Sequence, residues 1–502
     1  MRSRIASALY RHAAATPDKE AIWCDGTSLT YAEMAAMVSR YSRLLIHCGI
    51  GYGDHIAVPM SNSIASVALF FSAADLGVCL VPLNPSLPFA ALRTAIPAAD
   101  VRHLIARRAF LDECARQGGL GISGVTICLD GEAAGAVPFS MAATMPDERP
   151  DGPDIAGDES FILTMTSGST GDPKPIDLSQ DNKVARAEAH AAMYGLTADD
   201  RILAATPLYH SLAERLVLMP LMMGATSILL PRFTCRLWID CVRTRRVTFT
   251  IAVSAQLAQL LTLLQQADEP AIRSLRTVVS SSALLDEEVK TALIDHLHCA
   301  FHEMYGTSET STATNICFRQ RPDKERSVGK PLPGVRLRIL DDAGALCPAG
   351  TVGEIAVASP LICKGYYKRP EAMAQALTDG FFRTGDLGRL DDEGFLYFAG
   401  RKKELIITGA VNVYPADIDA VVGRMAGVRE CAAFSMPDAR LGETVGLAVV
   451  AEEGAALTPH AVRIYCARHL ADFQQPHHIF FVEALPRNAM GKLQRMKIMD
   501  II

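Results

Sequence analysis

An apolar run, Phe161-Ile-Leu-Thr-Met165, leads directly into Thr166-Ser-Gly-Ser-Thr-Gly-Asp-Pro-Lys174. The run reads as a buried strand, so the chain must turn sharply where the small hydroxyl residues begin. Gly168 and Gly171 permit such a turn and let backbone N–H groups approach a bound anion; a third glycine, Gly195, lies farther on. Thr166, Ser167, Ser169 and Thr170 add hydroxyl donors, and Lys174 adds a full positive charge. A strand feeding such a loop suits a polyphosphate, although Ser, Gly and Thr crowd ordinary surface loops too. The G-x-x-x-x-G-K-[ST] spacing of a Walker A loop does not occur.

Ahead of this loop the pattern alternates. Thr30-Tyr-Ala-Glu33 forms a capping box, and Met34, Val38, Tyr41, Leu45 and Cys48 follow at helical spacing. His55–Pro59 reads as a strand, Ile64–Leu76 as a helix and Val78–Pro82 as another strand, which predicts parallel α/β sheet. The Gly-, Pro- and Ala-rich stretch from Gly131 to Gly157 reads as a surface connection. From about Val335, short strands with tight turns at Asp341–Gly344 and Asp391–Gly394 predict antiparallel β structure in the form of a small barrel. Residues 403–502 mix strands and helices, which places a domain boundary near Arg401–Lys403 and divides the chain into 1–402 and 403–502.

Composition narrows the partners. A chain of 502 residues supports about two to four structural units with large cores. Its 49% apolar and 21% charged residues are those of a folded globular protein. A net charge of −6 gives no electrostatic footprint for nucleic acid or an anionic membrane, so small molecules are expected. The longest apolar stretch, Leu216 to Leu230, is interrupted by Pro220 and Gly224, so no membrane span is expected. The first ten residues carry positive charge without an apolar core, so no signal peptide is read. Thirteen cysteines without a C-x-x-C pair suit reduced, buried thiols and a cytoplasmic location.

Four further segments accompany the loop. Tyr305-Gly-Thr-Ser-Glu309 follows an expected strand; Phe382-Arg-Thr-Gly-Asp386 sets a carboxylate beside a turn glycine; Gly400-Arg-Lys-Lys-Glu-Leu-Ile-Ile-Thr-Gly409 is basic; Pro486-Arg-Asn-Ala-Met-Gly-Lys492 precedes the C-terminus. With these in order, the chain resembles the adenylate-forming superfamily: acyl- and aryl-CoA synthetases, peptide-synthetase adenylation domains and firefly luciferase. The resemblance spans nearly the whole chain and includes Asn62, Pro82, Pro85 and Gly353-Glu354.

The resemblance implies a large N-terminal domain of two α/β sheet subdomains plus a small β-barrel, with a smaller mobile α+β C-terminal domain. It implies an enzyme that activates a carboxylic acid with ATP and Mg²⁺, then transfers the acyl group to the thiol of coenzyme A. The alternative acceptor is a carrier-protein phosphopantetheine. Thr166, Ser167, Gly168, Ser169, Thr170, Gly171 and Lys174 would hold the β- and γ-phosphates, and Ser308 the α-phosphate. Ser282, Tyr305, Gly306 and Thr307 join this nucleotide site, Glu309 would ligate Mg²⁺, and Asp386 would grip the ribose with Arg401 assisting. Lys492 would bridge the acyl carboxylate and the α-phosphate, stabilising developing charge. Lys403 matches the hinge, and the Thr408–Ala410 segment, Gly409 in particular, the thiol channel. A homodimer accords with the resemblance.

Some positions depart from the family pattern. Pro175 replaces a glycine, Ser308 a threonine, Ser281 and Ser282 two glycines beside the adenine and acyl pocket, Ala410 a glycine and Asn488 a threonine. The acyl wall follows Pro207-Leu-Tyr-His210. His210, grouped with Lys492 and Glu309 as catalytic, matches the histidine of acyl- and aryl-CoA synthetases. Ser211 stands where amino-acid-activating relatives carry an aspartate, so a fatty or aromatic acid is favoured. Ala255, Gln256, Leu257, Leu260 and Ser281 would form further walls. Glu214 and Arg215 could meet a polar substrate group, although helical residues of this kind usually face solvent. His296, His298 and His302 fall at a helix end entering a strand, which scatters their side chains and argues against zinc.

Overall fold

The structure, a computed structural model, describes residues 2–165, 174–266, 272–409, 411–488 and 491–502. The chain divides into two compact units: Met1–Thr312 with Cys317–Pro322 and Ser359–Gln375, and Ala313–Ile316 with Asp323–Ala358 and Ala376–Ile502.

The first unit holds two largely parallel sheets. One runs Thr27–Thr30, Glu20–Cys24, Thr226–Leu229, Arg201–Ala204, Phe249–Val253, Thr277–Ser281 and Ala300–Thr307, parallel after the first pair. The other has eight strands, in the order Gly365–Tyr366, Pro175–Ser179, Ser160–Met165, Cys79–Leu83, His55–Pro59, His103–Ala106, Thr126–Cys128 and Val137–Pro138. Its first three strands are antiparallel and the rest parallel. Side chains from both sheets join one core with helices Arg4–Ala15, Tyr31–His47, Ile64–Leu76, Gln180–Tyr194 and Ser211–Met223. Strands covered on both faces read as continuous apolar runs, as Phe161–Leu163 does. Ile64–Leu76 is buried at every position but Ala65, so it has no polar face to display.

Local signals act as expected in most places. Thr30 Oγ1 accepts from Glu33 N, and the Glu33 carboxylate accepts from Thr30 N, which starts the helix at Tyr31. The strand expected from Val78 begins at Cys79. Gly195 adopts φ +59° and closes helix Gln180–Tyr194, so it serves as a helix stop. The stretch Gly131–Gly157 is more than a surface connection. It contributes strand Val137–Pro138 and a 3₁₀ turn, Phe139–Thr144, because Phe139 and Ala142 are apolar enough to be buried.

In the second unit, strands Arg336–Leu340, Gly353–Ala358, Phe381–Leu390 and Leu377–Thr378 pair in that order, and Leu396–Arg401 pairs with Phe381–Leu390. The expected turns close through Asp341 N–H to Ala345 O and Asp391 N–H to Phe395 O, each 2.9–3.0 Å. The compact antiparallel unit anticipated after Val335 is therefore present, and its pairings among the described residues form an open sheet, not a closed ring. Another sheet orders Val411–Val413, Ile406–Thr408, Gly442–Ala451 and Val428–Asp438, with His478–Phe481 parallel to Gly442–Ala451. Helices Pro415–Val422 and Pro459–His469 bury Ile418, Val422, Val462 and Cys466 in the core of this sheet. Among the described residues, no helix is long and apolar enough to cross a membrane.

Candidate active site

Strand Ala300–Thr307 ends in the turn Tyr305–Glu309. A Cβ at Gly306 would lie 1.9 Å from the Ser311 carbonyl oxygen, so only glycine fits there. Thr307 and Thr310 each donate a backbone N–H to the other's Oγ1 at 3.1 Å. Arg186, 2% exposed on helix Gln180–Tyr194, fixes the turn from behind. Its Nε donates to Leu361 O at 2.9 Å, Nη1 to Ser308 O at 3.1 Å and Nη2 to Glu309 O at 2.8 Å. Cys363 N–H adds a 2.7 Å bond to Glu309 O. With its main chain held this way, the turn leaves Ser308 exposed and Glu309 half-buried.

The Glu309 carboxylate is held too. Tyr366 Oη donates to Glu309 Oε1 at 2.9 Å, and the Lys174 ammonium lies 5.9 Å from the centre of the Tyr366 ring. Burial and then the Glu309 charge push the Tyr366 phenol well above its usual range, so it remains a donor. Tyr366 was not among the expected site residues; its only sequence signal is an aromatic pair after Gly365. Thr166, Ser167, Gly168, Ser169, Thr170 and Gly171 lie outside the described residues. Their flanks do not: Met165 pairs with Pro175 across antiparallel strands.

His210 caps helix Ser211–Met223, and the loop before it is anchored by Asn62. The Asn62 amide donates to Thr206 O at 3.0 Å and Leu230 O at 2.8 Å, and accepts from Leu208 N at 2.9 Å. His210 Nε2 is buried without a hydrogen bond among the described residues, and burial lowers the imidazole pKa to about 4, so the ring is neutral at neutral pH. Ser211 and Ala255 are half-buried at the starts of their helices. Ser281 is half-buried and Ser282 exposed, with Ser282 at φ +79°, a conformation that favours glycine. Ser254 Oγ holds this loop by donating to Ala283 O at 2.5 Å.

Glu214 and Arg215 do not face solvent. Glu214 is 0% exposed and paired with Lys183, itself buried. Arg215 is buried beside His190 Nε2 at 2.9 Å and donates to Ser311 Oγ at 3.2 Å. The helix lies inside the core shared by both sheets, buried from Ala213 to Leu221, which amphipathic reasoning does not anticipate. His296 ends helix Glu287–Leu297, His298 follows it at φ +50°, and His302 lies within strand Ala300–Thr307, as the sequence predicts.

In the second unit, Asp386 and Arg401 face each other across adjacent strands, with Arg401 Nε 3.6 Å from Asp386 Oδ1. Glu354 braces the turn before Asp386: it accepts from Gly385 N at 3.2 Å, Arg383 Nε at 3.1 Å and Lys402 Nζ at 3.3 Å. Burial works to raise its pKa, but the Arg383 and Lys402 interactions outweigh this and hold the carboxyl below its usual range. A Cβ at Gly353 would meet Leu340 O at 2.5 Å, so the preceding glycine is sterically required. Lys403 is exposed.

Lys492 is half-buried in the same unit. Burial, then the Arg401 charge, lowers its pKa to about 8, with Asp386 and Glu404 opposing. Its turn closes on Asn488, whose N–H donates to Lys492 O at 2.9 Å and whose Oδ1 accepts from Lys492 N at 3.0 Å. Asn488 thus closes this turn with both its main chain and its side chain. Arg495 ties the segment to Asp419 Oδ2 at 2.7 Å. Gly409 adopts φ +55° and donates its N–H to Leu441 O at 3.0 Å; Ala410 lies outside the described residues.

The first unit offers a carboxylate on a braced turn and a neutral imidazole beside a buried helix; the second offers a carboxylate on a braced turn and a cation of lowered pKa. The family model for AMP-binding enzyme matches residues 9–367, and that for the AMP-binding enzyme C-terminal domain matches residues 417–492. The chain is 31% identical to an indoleacetate–CoA ligase of Aromatoleum aromaticum, over 98% of this chain and 97% of that protein. It is 32% identical to a sulfoacetate–CoA ligase of Cupriavidus necator, over 99% and 97%. Its fold is similar to ATP-bound MatB from Rhodopseudomonas palustris, with a TM-score of 0.90 and 29% identity over 100% of both chains.

Proposed function

The chain belongs to the AMP-binding enzyme family, and from that membership we propose that it is an AMP-forming acid–CoA ligase. It activates a carboxylic acid with ATP to an acyl-adenylate, releasing pyrophosphate, and then passes the acyl group to the thiol of coenzyme A with release of AMP. The reading is supported most strongly by one observation: Glu309, Asp386 and Lys492 all stand on braced turns within a chain that matches both family models.

The carboxylate and the α-phosphate are both anions, so the first step needs positive charge and preorganised donors. Thr166–Gly171 and Lys174 bind the β- and γ-phosphates, and Ser308 the α-phosphate, with Ser282, Tyr305, Gly306 and Thr307 lining the nucleotide. Glu309 fits a hard divalent cation: Tyr366 engages Oε1, which leaves a second carboxylate oxygen for the ion. Bound Mg²⁺ would neutralise phosphate charge there. Asp386 accepts from the ribose hydroxyls beside Arg401. Lys492 stabilises charge in the first transition state; residues 403–502 then swing about Lys403, and Gly409 shapes the thiol channel. His210, Ser211, Ala255 and Ser281 border the acyl group, for which a fatty or aromatic acid suits the absence of an aspartate at Ser211.

The enzyme is read as cytoplasmic. Acid-dependent exchange of pyrophosphate into ATP, followed by an assay of thioester formation with coenzyme A, tests the reading. No exchange with any acid would refute it, and thioester formed only on a carrier protein's phosphopantetheine would reassign the acceptor.

A further inference from the structure

Helices Gln180–Tyr194 and Ser211–Met223 enclose a cavity lined by Lys183, Arg186, Ser211, Arg215 and three apolar side chains. It offers about 10 Å³ to the centre of a water-sized group, room for roughly one oxygen atom. Its walls are unusually cationic for a buried space. Lys183 is neutralised by Glu214, and Arg186 is committed to three main-chain oxygens. Arg215 is only 9% exposed, and its partners among the described residues are His190, Ser311 and Thr312, all without negative charge. Burial, with Arg215 and Arg186 close by, keeps His190 neutral. Three cations therefore stand near two carboxylates, Glu214 paired with Lys183 and the half-buried Glu309 nearer Arg186, and among the described residues neither carboxylate is hydrogen-bonded to Arg215.

A guanidinium removed from water without a counter-charge is costly, and protein interiors normally supply a partner. Here the cavity wall includes Ser211, which the ligase reading places beside the acyl group. We propose that the acid activated by this enzyme carries a second anionic group, a carboxylate or sulfonate remote from the reacting carboxyl, and that Arg215 is its counter-ion. The inference rests on the ligase reading and narrows it. One oxygen of the second group fills the cavity, and the rest of the acid lies outside it. An acid ending in a methyl group gains nothing from Arg215 and leaves its charge unanswered, so selectivity follows from charge more than from length.

Pyrophosphate exchange with matched acids tests this: terephthalate against 4-nitrobenzoate, and succinate and adipate against their monoamides. Each pair has nearly the same shape and differs by one charge. In the wild-type enzyme, the dianion of at least one pair should exceed its neutral partner at least tenfold in kcat/KM. Arg215→Leu should lower that ratio at least tenfold whatever the absolute rate, and Arg215→Lys should restore part of it. Should the arginine variants fail to fold, Ser211→Asp sets a negative charge on the cavity wall and should depress the same ratio. Neutral acids used as well as or better than the dianion in every pair would overturn the proposal and leave the ligase reading standing. An Arg215→Leu enzyme that loses activity equally on both members of a pair would also overturn it, by showing a purely structural role. Exchange with none of the acids would overturn the ligase reading itself.

Discussion

Tyr366 and Glu309 are joined by a 2.9 Å hydrogen bond between phenol and carboxylate, although 57 residues separate them in the chain. The bond fixes the orientation of the carboxylate proposed to meet Mg²⁺. Tyr366→Phe removes the donor and leaves the ring. A hydrogen bond to a charged group of this kind is worth about 1–2 kcal/mol, so kcat/KM for MgATP should fall roughly 5- to 30-fold. Initial rates measured against ATP and Mg²⁺ would check this, and unchanged values would detach Tyr366 from the site.

Lys492 has its pKa lowered to about 8, chiefly by burial and then by Arg401. Its ammonium form is the one proposed to stabilise the first transition state. Adenylate formation should therefore decline as pH rises through about 8, while thioester formation from supplied acyl-adenylate should lack that limb. Lys492→Ala should reduce adenylation on the order of 100-fold or more and leave the second half-reaction largely intact. Equal loss of both half-reactions would reject the assigned role.

Two histidines should make the fold sensitive to acid. Burial lowers His210 to about 4, and burial with the Arg215 and Arg186 charges holds His190 well below its usual value. Unfolded histidine takes up a proton near pH 6.5, whereas these two resist it while folded. Their contribution to stability is thus complete above about 6.5 and is lost as pH falls toward 4. Denaturant midpoints compared at pH 7 and pH 5 should show that loss, and His210→Phe should show a shallower pH slope.

Ser282 occupies φ +79° where most L-residues are strained. Ser282→Gly should relieve about 1 kcal/mol and raise the thermal midpoint. A lower midpoint would mean that the serine hydroxyl makes a compensating interaction.

Asp386, 6% exposed and opposite Arg401, is proposed to accept from the ribose hydroxyls. Asp386→Ala should raise the KM for ATP roughly 10- to 100-fold, the worth of hydrogen bonds to a charged acceptor. An unchanged KM would exclude the contact.

Much of the scaffold was legible because its signals are local. The Thr30–Glu33 capping box, the strand His55–Pro59 and the helix Ile64–Leu76 follow from short-range pattern and caps alone. Tyr366 was not legible, because its relation to Glu309 depends on how strand Gly365–Tyr366 joins the edge of a sheet. Glu214 and Arg215 carried a misleading signal. Charged residues on a helix usually mark a solvated face, but here Lys183, His190 and Ser311 come from distant parts of the chain to meet them. The buried turn at Phe139 was hidden by the Gly, Pro and Ala around it.

Arg186 uses its Nε and both terminal nitrogens on carbonyl oxygens of Ser308, Glu309 and Leu361, and on none of their side chains. The clamp is therefore blind to what those residues are. The exposed side chain at 308 can be exchanged without loosening it. A lineage can in this way retune the reacting surface residue by residue while the loop beneath stays where it was.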